Sequence, residues 1–356
     1  MTAARKDDHV RLAVAQHDAP MESRAARPSA FDEVCFVHHA LAGTDRARVS
    51  LRTGFAGLSW PVPLYINAMT GGTPATGAVN RDLALVARET GLPIATGSMS
   101  PYLRDPSTAE TFSPLRTANP DGFVLANVNP NATPEQARRA VGLLEADALQ
   151  IHLNAVQETV MPEGDRSFGH WAASIEAIAA GVEVPVIVKE VGFGLSGRTV
   201  ARLGELGIAA ADVSGTGGTD FARIENSRRT HADYAYLEGW GLSTPAALLD
   251  ARGRGVPLLA SGGVRNPLDV ARALALGAHA VGVSGGFLAT LTHGGVDALI
   301  RQITTWIEQL GAIMTLLGAH TPSELASCDV FLTGSLRDFC AQRGILPTGS
   351  GKAADD

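Results

Sequence analysis

The strongest constraint on the fold is a recurring pattern, in which a short apolar run ends in Gly, Asn, Thr or Ser and a helix-like stretch follows. Such runs, bounded by turn residues, are typical of buried strands, and strands that alternate with helices pair in parallel. Eight runs occur, at residues 62–69, 93–98, 123–129, 148–154, 185–191, 211–215, 257–263 and 280–285. Eight such units close on themselves, so the sequence predicts an α/β fold of the (β/α)₈ TIM-barrel type.

The main alternative is an open, doubly wound sheet. Its first strand usually leads into a G-x-G-x-x-G turn, and no such turn follows residues 62–69. The helix-like stretches fit either fold and lie at residues 80–90, 134–145, 175–181, 199–207, 245–252 and 267–276. The missing turn favours the barrel.

The remaining residues are predicted to surround the barrel within one domain, residues 1–346. An N-terminal arm and cap cover 1–58, the barrel covers 61–290, and C-terminal helices cover 294–346. The arm begins with a short charged helix in 1–19 and a loop at 20–30, and the C-terminal helices lie near 296–317 and 335–343. Residues 347–356 are expected to form a disordered tail.

Charge and cysteine content exclude several classes of protein. A net charge of -7 argues against nucleic-acid binding, which usually needs a basic patch. The three cysteines form no metal-type spacing, so a reduced cytoplasmic setting is expected. No stretch is long and apolar enough to span a bilayer, and the charged N-terminus is unlike a secretory signal.

The fourth run carries the clearest chemical signal. Its residues alternate, so that Gln150, His152 and Asn154 share one face of a strand, and Gln157 and Glu158 follow the strand end. Polar side chains are costly to bury unless they bind something, and barrels keep their chemistry at strand ends. Alone, His152 could be a core histidine and Glu158 a first-turn helix carboxylate. Together the five residues predict an active site.

Two glycine-rich loops late in the chain predict a phosphate site. Ser261-Gly-Gly-Val-Arg265 precedes a helix start, and Ser284-Gly285-Gly286 follows the last run. Exposed N–H groups at such helix starts attract phosphate, and strands seven and eight build the common phosphate site of barrels. Plain turn chemistry is the alternative interpretation.

Lys189 lies inside the fifth run, where a buried lysine must find a negative partner or lose its proton. Glu190 is a poor partner, because adjacent strand residues face opposite sides. A charge held against an electron-rich cofactor ring is the favoured interpretation. From charge alone, Arg5 and Lys6 would be a solvated chain end.

At this point the residues resemble a known family, the type 2, FMN-dependent isopentenyl diphosphate isomerases, most closely their actinobacterial members. The resemblance covers about residues 5–344. It is carried by Arg5-Lys6-x-x-His9, Met69-Thr-Gly-Gly72, Gln150-Ile-His-Leu-Asn154 with Gln157-Glu158, Val188-Lys-Glu-Val-Gly192, Ser214-Gly-Thr-Gly-Gly-Thr219 and Ser261-Gly-Gly-Val-Arg265.

The resemblance implies conversion of isopentenyl diphosphate to dimethylallyl diphosphate, with reduced FMN as acid/base catalyst, Mg²⁺, and NADPH to prime the flavin. It implies that FMN contacts Ala68, Met69, Thr70, Ser98, Asn127, Lys189, Ser214 and Thr219, with its phosphate on Gly262, Gly263, Arg265, Gly285 and Gly286. Substrate would contact Arg5, Lys6, His9 and Gln157, and the diphosphate would also contact His152. His152, Asn154 and Gln157 would be catalytic, and Glu158 would hold the Mg²⁺. A cytoplasmic homo-oligomer, tetramer or octamer, is expected.

One departure concerns Ser98-Met99-Ser100, where many members read Ser-Gln-Arg. That arginine helps to hold diphosphate, and Arg104 is a candidate replacement. A second FMN barrel, an oxidase or dehydrogenase of 2-hydroxy acids, is the first rival, but its tight His-Gly-x-Arg arrangement is missing. A dehydrogenase with a loop cysteine and a non-catalytic flavin sensor are weaker rivals. The charged segment 221–239 is predicted to be a mobile lid.

Overall fold

The computed structural model describes residues 3–18, 29–231 and 233–345. The predicted tail and most of the predicted loop at 20–30 lie outside them. Eight parallel strands form a closed barrel in which each strand pairs with the next in the chain and the last pairs with the first. They are Leu64–Ile66, Ile94–Ala95, Val124–Val128, Ala148–Leu153, Val186–Glu190, Ala210–Asp212, Leu258–Ser261 and Ala278–Val283. The barrel prediction is confirmed, and the doubly wound sheet is excluded.

The helices follow the strands as predicted. The six main ones are Pro74–Thr90, Pro134–Leu144, Trp171–Gly181, Gly197–Glu205, Thr244–Ala251 and Pro267–Ala275. Short helices add Ser100–Arg104, Pro114–Thr117, Ala155–Val160 and Phe221–Ser227. Single 3₁₀ turns occur at Ala30–Glu33, Arg46–Arg48, Pro106–Thr111, Ala235–Leu237 and Pro322–Ser327.

Local sequence explains where several helices begin. Thr73 and Thr133 each cap a helix by accepting a hydrogen bond from the backbone three residues later, and Thr76 and Gln136 return the bond. This reciprocal pair satisfies two of the N–H groups that a helix start leaves unpaired. Pro at the first helical position supports both starts.

The C-terminal helices also match the prediction. The helix Gly285–Leu317 is broken at Gly295, whose φ of 72° is not helical. Its second half therefore begins at residue 296, and the final helix covers Gly334–Arg343. Between them, the strand Val330–Leu332 pairs antiparallel with Val34–Phe36 and ties the cap to the C-terminal region.

A hairpin closes the amino-terminal end of the barrel. Its strands, Thr53–Phe55 and Leu58–Trp60, place Phe55 and the fully buried Trp60 against the start of the barrel strands. The two rings meet edge to face with centroids 4.9 Å apart. This packing fills the amino-terminal end of the barrel with apolar side chains.

The N-terminal helix, Ala3–Asp18, covers the carboxyl ends of the strands. Ala13 and Val14 pack with Ile224 and Leu288. Arg5 and Lys6 are only 5% and 8% exposed, so the solvated chain end that charge alone suggested is wrong. Over the described ranges 3–18, 29–231 and 233–345, no helix is long and apolar enough to cross a membrane.

Candidate active site

A cavity of about 1240 Å³ lies at the carboxyl ends of the strands, beneath the N-terminal helix. The ends of all eight strands or the loops that follow them contribute to its wall, which is where barrels carry their sites. It brings together nearly every residue that the sequence singled out. Those lining it are Arg5, Lys6, His9, Ala68, Met69, Ser98, Asn127, His152, Asn154, Gln157, Glu158, Lys189, Ser214, Thr219, Gly262, Gly263, Arg265, Gly285 and Gly286.

Thr70 is the one predicted site residue that does not line this cavity. It is 1% exposed, and its backbone lies so close to Gly97 that a Cβ there would meet the Thr70 nitrogen at 2.4 Å. The Thr70 hydroxyl has no hydrogen-bond partner among the described residues. Thr70 therefore sits behind the wall that Ala68 and Met69 form.

The glycines of the phosphate loops are required by shape. Gly262 has a φ of 91°, and a Cβ there would come within 2.0 Å of the Gly215 carbonyl oxygen. A Cβ on Gly285 would meet the His17 ring at 2.2 Å. Ser284, the residue before the last long helix, makes no side-chain cap, so that helix start is open to a ligand. Backbone N–H groups can thus cradle a phosphate here, as FMN requires.

The Arg265 side chain does not extend into this cradle. Its guanidinium bonds Asp32 at 2.6 and 2.8 Å and Asp269 at 2.7 Å. The Asp32 hydrogen bonds and then those of Asp269 raise the pKa of Arg265. Arg265 therefore braces the loop through Asp32 and Asp269.

Lys189 is buried in the fifth strand and faces the cavity. Its Nζ donates to the Glu190 carbonyl oxygen at 2.5 Å, and burial lowers its pKa. The Glu190 carboxylate accepts instead from the backbone N–H groups of Val191, Gly192 and Phe193. Burial raises the pKa of Glu190 to about 7. The two side chains thus have different partners, in agreement with the prediction that Glu190 is a poor partner for Lys189.

A chain of polar side chains crosses the cavity floor. His152 Nδ1 lies 2.7 Å from Asn127 Oδ1, Asn127 donates to Gln150 at 3.1 Å, and Gln150 donates to Asn67 at 3.3 Å. Asn67 donates in turn to the buried carboxylate of Asp212 at 3.0 Å. Burial, followed by the charges of Lys189 and Lys6, lowers the pKa of His152 to about 3. His152 is therefore a neutral imidazole near pH 7.

The opposite end of the cavity is a cationic cluster organised by Glu225. This carboxylate accepts from Gln157 Nε2 at 3.0 Å and from Arg228, and it lies 2.9 Å from His9 Nε2. Burial alone would raise its pKa, but the hydrogen bonds with His9, Gln157 and Arg228 prevail and lower it to about 2. Glu225 therefore ties the N-terminal helix to the residue predicted to lie beside the reacting atoms.

Two cations complete this end. Arg5 Nη1 lies 3.2 Å from Glu163 Oε1. Burial, followed by the charges of Arg5 and Arg104, lowers the pKa of Lys6 to about 8. Arg104 itself is exposed on the helix that follows Met99. An anionic ligand is the natural partner for such a cluster.

Glu158 and Asn154 lie beside this cluster. Asn154 Nδ2 donates to Glu158 Oε1 at 3.0 Å and to Gln157 Oε1 at 3.3 Å, while Glu158 Oε2 accepts from the Asp165 amide at 2.8 Å. Within the described part of the chain, no three His, Cys, Asp or Glu side chains could hold a metal.

Sequence reasoning missed two residues of this site. Asp212 is a single charge inside an apolar strand, and that is a signal of a buried polar role. Glu225 was one of several charges in segment 221–239, and nothing local distinguished it. That segment contains the helix Phe221–Ser227, and its Arg228 pairs with Glu225 and Glu163.

The chain matches the FMN-dependent dehydrogenase family over residues 115–330. An isopentenyl-diphosphate delta-isomerase of Streptomyces sp. (strain CL190) is 64% identical over 97% of this chain and 93% of the relative. The proteins of that name from Kitasatospora griseola and Nocardia farcinica are 65% and 60% identical, each over 97% of this chain and over 93% and 94% of the relative.

Solved structures with the same architecture are more distant in sequence. A mandelate oxidase variant superposes with a TM-score of 0.62 at 18% identity, over 92% of this chain and all of that one. A flavocytochrome b2 variant gives 0.60 at 20% identity, over 83% of this chain and 75% of that one. These two likenesses concern the fold.

Proposed function

This chain belongs to the isopentenyl-diphosphate delta-isomerase family, and we propose on that premise that it converts isopentenyl diphosphate to dimethylallyl diphosphate with reduced FMN and Mg²⁺. One observation carries the proposal. A single cavity joins a glycine cradle for phosphate and the buried Lys189 to a separate cationic end at Arg5, Lys6 and His9. The flavin phosphate would bind the backbone N–H groups of the glycine cradle. The substrate diphosphate would bind the cationic end.

The residues present fit FMN. Glycine loops after the seventh and eighth strands would hold its phosphate, and the wall formed by Ala68 and Met69 would support its ring. When bound and reduced, the flavin supplies a group that can give and take a proton without net redox change. Lys189 would lie against the flavin ring, where its charge favours the reduced, anionic form.

The chain's own residues orient and enclose the substrate. Arg5 and Lys6 would hold the negative charge of the diphosphate, and the N-terminal helix that carries them would limit the access of water to the cavity. Gln157 is held by Glu225 with its amide beside the predicted position of the reacting carbons. The neutral His152 lines the same wall. Moving the double bond needs one proton added and another removed, so positive charge develops on the substrate carbons between the two steps. Keeping bulk water away prevents water from attacking those carbons.

The rivals differ in what they consume. We expect purified protein to release FMN on heating and to isomerise isopentenyl diphosphate many times per NADPH oxidised, under anaerobic conditions with Mg²⁺. A 2-hydroxy acid oxidase would consume its substrate with oxygen, and a flavin sensor would turn over nothing. Recovery of FAD alone, or isomerisation strictly matched to NADPH oxidation, would contradict the proposal.

Glu158→Gln is expected to weaken the dependence of activity on Mg²⁺ while FMN remains bound. The amide keeps the shape but removes the charge that a hard cation prefers. The measurement is initial rate against Mg²⁺ concentration, with flavin absorbance as the control for binding. Glu163→Gln is the matched variant, since Glu163 is near but pairs with Arg5 and Arg228. An unchanged Mg²⁺ response in Glu158→Gln would remove the metal assignment.

Arg5→Ala and Lys6→Ala are each expected to raise KM for isopentenyl diphosphate at least ~10-fold, the scale of one charge-assisted contact of about 1.5–3 kcal/mol. Because the pKa of Lys6 is lowered to about 8, its charge in the free enzyme is lost as pH rises through that value. kcat/KM, which reports the free enzyme, should therefore fall above about pH 8. Lys6→Arg should keep the charge and abolish this decline. A decline that persists in Lys6→Arg would assign it to another group.

We also propose where the protein acts, which reductant it uses and how it assembles. A cytoplasmic location, NADPH as reductant, and a homo-oligomer of four or eight subunits are in keeping with a metabolic enzyme that keeps three free cysteines. Light scattering of the purified, FMN-loaded protein would give the number of subunits.

A further inference from the structure

We propose that Asp212 fixes the proton of His152 on Nδ1, through a chain of three side-chain amides, and so leaves Nε2 as the imidazole atom that meets the ligand. Asp212 would be a positioning residue, because it acts on the cavity only through other side chains. The inference rests on the proposed function for its role in catalysis, but its geometry stands on the described contacts alone.

The chain begins at a carboxyl group that is surrounded by donors. Asp212 is fully buried and accepts from Tyr65 Oη at 2.6 Å, Ser261 Oγ at 2.8 Å and the Ser214 amide at 3.1 Å. Burial, followed by the charge of Asp212, raises the pKa of Tyr65, so that hydroxyl stays a donor. Asn67 presents its amide nitrogen to the same carboxyl group as a further donor.

Asn67 is held in this orientation at both ends. Its Nδ2 donates to Asp212 at 3.0 Å, and its Oδ1 accepts from the Ala68 backbone N–H at 2.8 Å. A rotated amide would set oxygen against carboxylate and N–H against N–H. The Oδ1 atom also accepts from Gln150 Nε2 at 3.3 Å, so the orientation of Gln150 follows from that of Asn67.

The same logic passes to the histidine. Gln150 Oε1 accepts from Asn127 Nδ2 at 3.1 Å, which leaves Asn127 Oδ1 facing His152 Nδ1 at 2.7 Å. Two acceptors cannot share that contact, so Nδ1 must carry the proton. Asn127 and Gln150 are direct partners in adjacent strands, so the register of the barrel keeps this chain in place.

The bare Nε2 has a defined consequence. The side-chain partner of the ring is Asn127, at Nδ1, and the ring also bonds the Val128 carbonyl, which accepts only from an N–H; His152 lines the cavity. Nε2 can accept a hydrogen bond or take up one proton, and burial, followed by the charges of Lys189 and Lys6, lowers the pKa of the imidazole. Proton exchange between His152 and a ligand is thus confined to one atom, whose position the barrel floor determines.

The test reads the tautomer directly. FMN-loaded protein labelled with ¹⁵N-histidine is examined by NMR without substrate, and His152 is assigned by the signals lost in His152→Gln. We expect the parent to show the Nδ1–H form alone and Asp212→Asn to show both forms. An asparagine at position 212 can donate as well as accept, so Asn67 keeps only its bond from the Ala68 N–H as an orienting contact, and the second tautomer becomes populated. A parent with the proton on Nε2, or an Asp212→Asn spectrum like that of the parent, overturns the proposal.

Two further variants complete the design. Tyr65→Phe removes another bond to Asp212 but leaves the amide chain intact, and it should keep the parent tautomer. If Asp212→Asn does not fold, Gln150→Leu interrupts the chain in the middle, at a fully buried residue, and should also give both tautomers. In the isomerase assay, Asp212→Asn should lose at least about 10-fold in kcat/KM. The two proposals can fail separately. If the parent protein has no isomerase activity but Asp212→Asn still changes the tautomer, the proposed function is refuted and the role of Asp212 stands.

Discussion

Lys189→Met is expected to lower kcat/KM by about 100-fold to 1000-fold, the effect of removing one preorganised charge from a water-excluded site. The lysine is buried, and its ammonium donates a hydrogen bond to the neutral carbonyl oxygen of Glu190. Its charge should therefore matter most when an anionic ring is present. In the same variant, the midpoint potential of the bound flavin should fall, because the reduced anion loses its counter-charge.

Protein stability separates this catalytic effect from a folding defect. Burying an ammonium is costly, and that cost already lowers the pKa of Lys189. Methionine has a similar length and no charge, so the free energy of unfolding of the flavin-free variant should equal or exceed that of the parent. An active variant with an unchanged potential would show that Lys189 is a structural residue.

Glu225→Ala is expected to reduce the free energy of unfolding by about 3–5 kcal/mol, as for removal of one partner from a buried charge pair. Its side chain is fully buried, and its loss would leave Arg228 paired with the partly exposed Glu163 and would remove the carboxylate partner of His9. Gln157 would also lose its acceptor, so kcat should fall together with stability. Denaturant unfolding and steady-state kinetics on the same preparation measure both effects.

Glu163→Ala is the matched control. Glu163 binds Arg5 and Arg228 from the outside with 44% of its side chain exposed, so its removal should cost no more than about 1 kcal/mol. Equal losses of stability in Glu225→Ala and Glu163→Ala would contradict the assignment of Glu225 as the organising carboxylate.

Low pH should reproduce the destabilisation caused by Glu225→Ala. The pKa of Glu225 falls from 4.5 to about 2 on folding, so its stabilising contribution is complete above pH 4.5 and is lost as pH falls toward 2.

The fold could be predicted from sequence because its signals are local. Each of the eight strands lies within or overlaps a predicted apolar run, since short runs and their turn residues are adjacent in the chain. The helix predicted at 296–317 is also a local feature, because the break at Gly295 separates it from the helix start that follows the eighth strand. Most site residues followed from the same logic, because parallel strands bring their carboxyl ends together.

What sequence could not give depends on distant partners. His9 and Glu225 are 216 residues apart, and no local pattern distinguished Glu225 from the other charges of its segment. The orientation of Arg265 was equally hidden, since Asp32 lies in the N-terminal cap and Asp269 in the next helix. Burial of Arg5 and Lys6 required the docking of a whole helix, which short-range charge arguments cannot show.

The position of the N-terminal helix also determines the order in which the protein can be completed. The helix Ala3–Asp18 is synthesised before the barrel, but it packs on Ile224 and on Leu288 and Ala289, which belong to the helix after the last barrel strand. It must remain undocked until Leu288 and Ala289 have been synthesised, with its apolar face unprotected in the meantime. Arg5 and Lys6 therefore reach their final places only after the barrel has closed, and the entrance for the anionic substrate is among the last parts of the molecule to form.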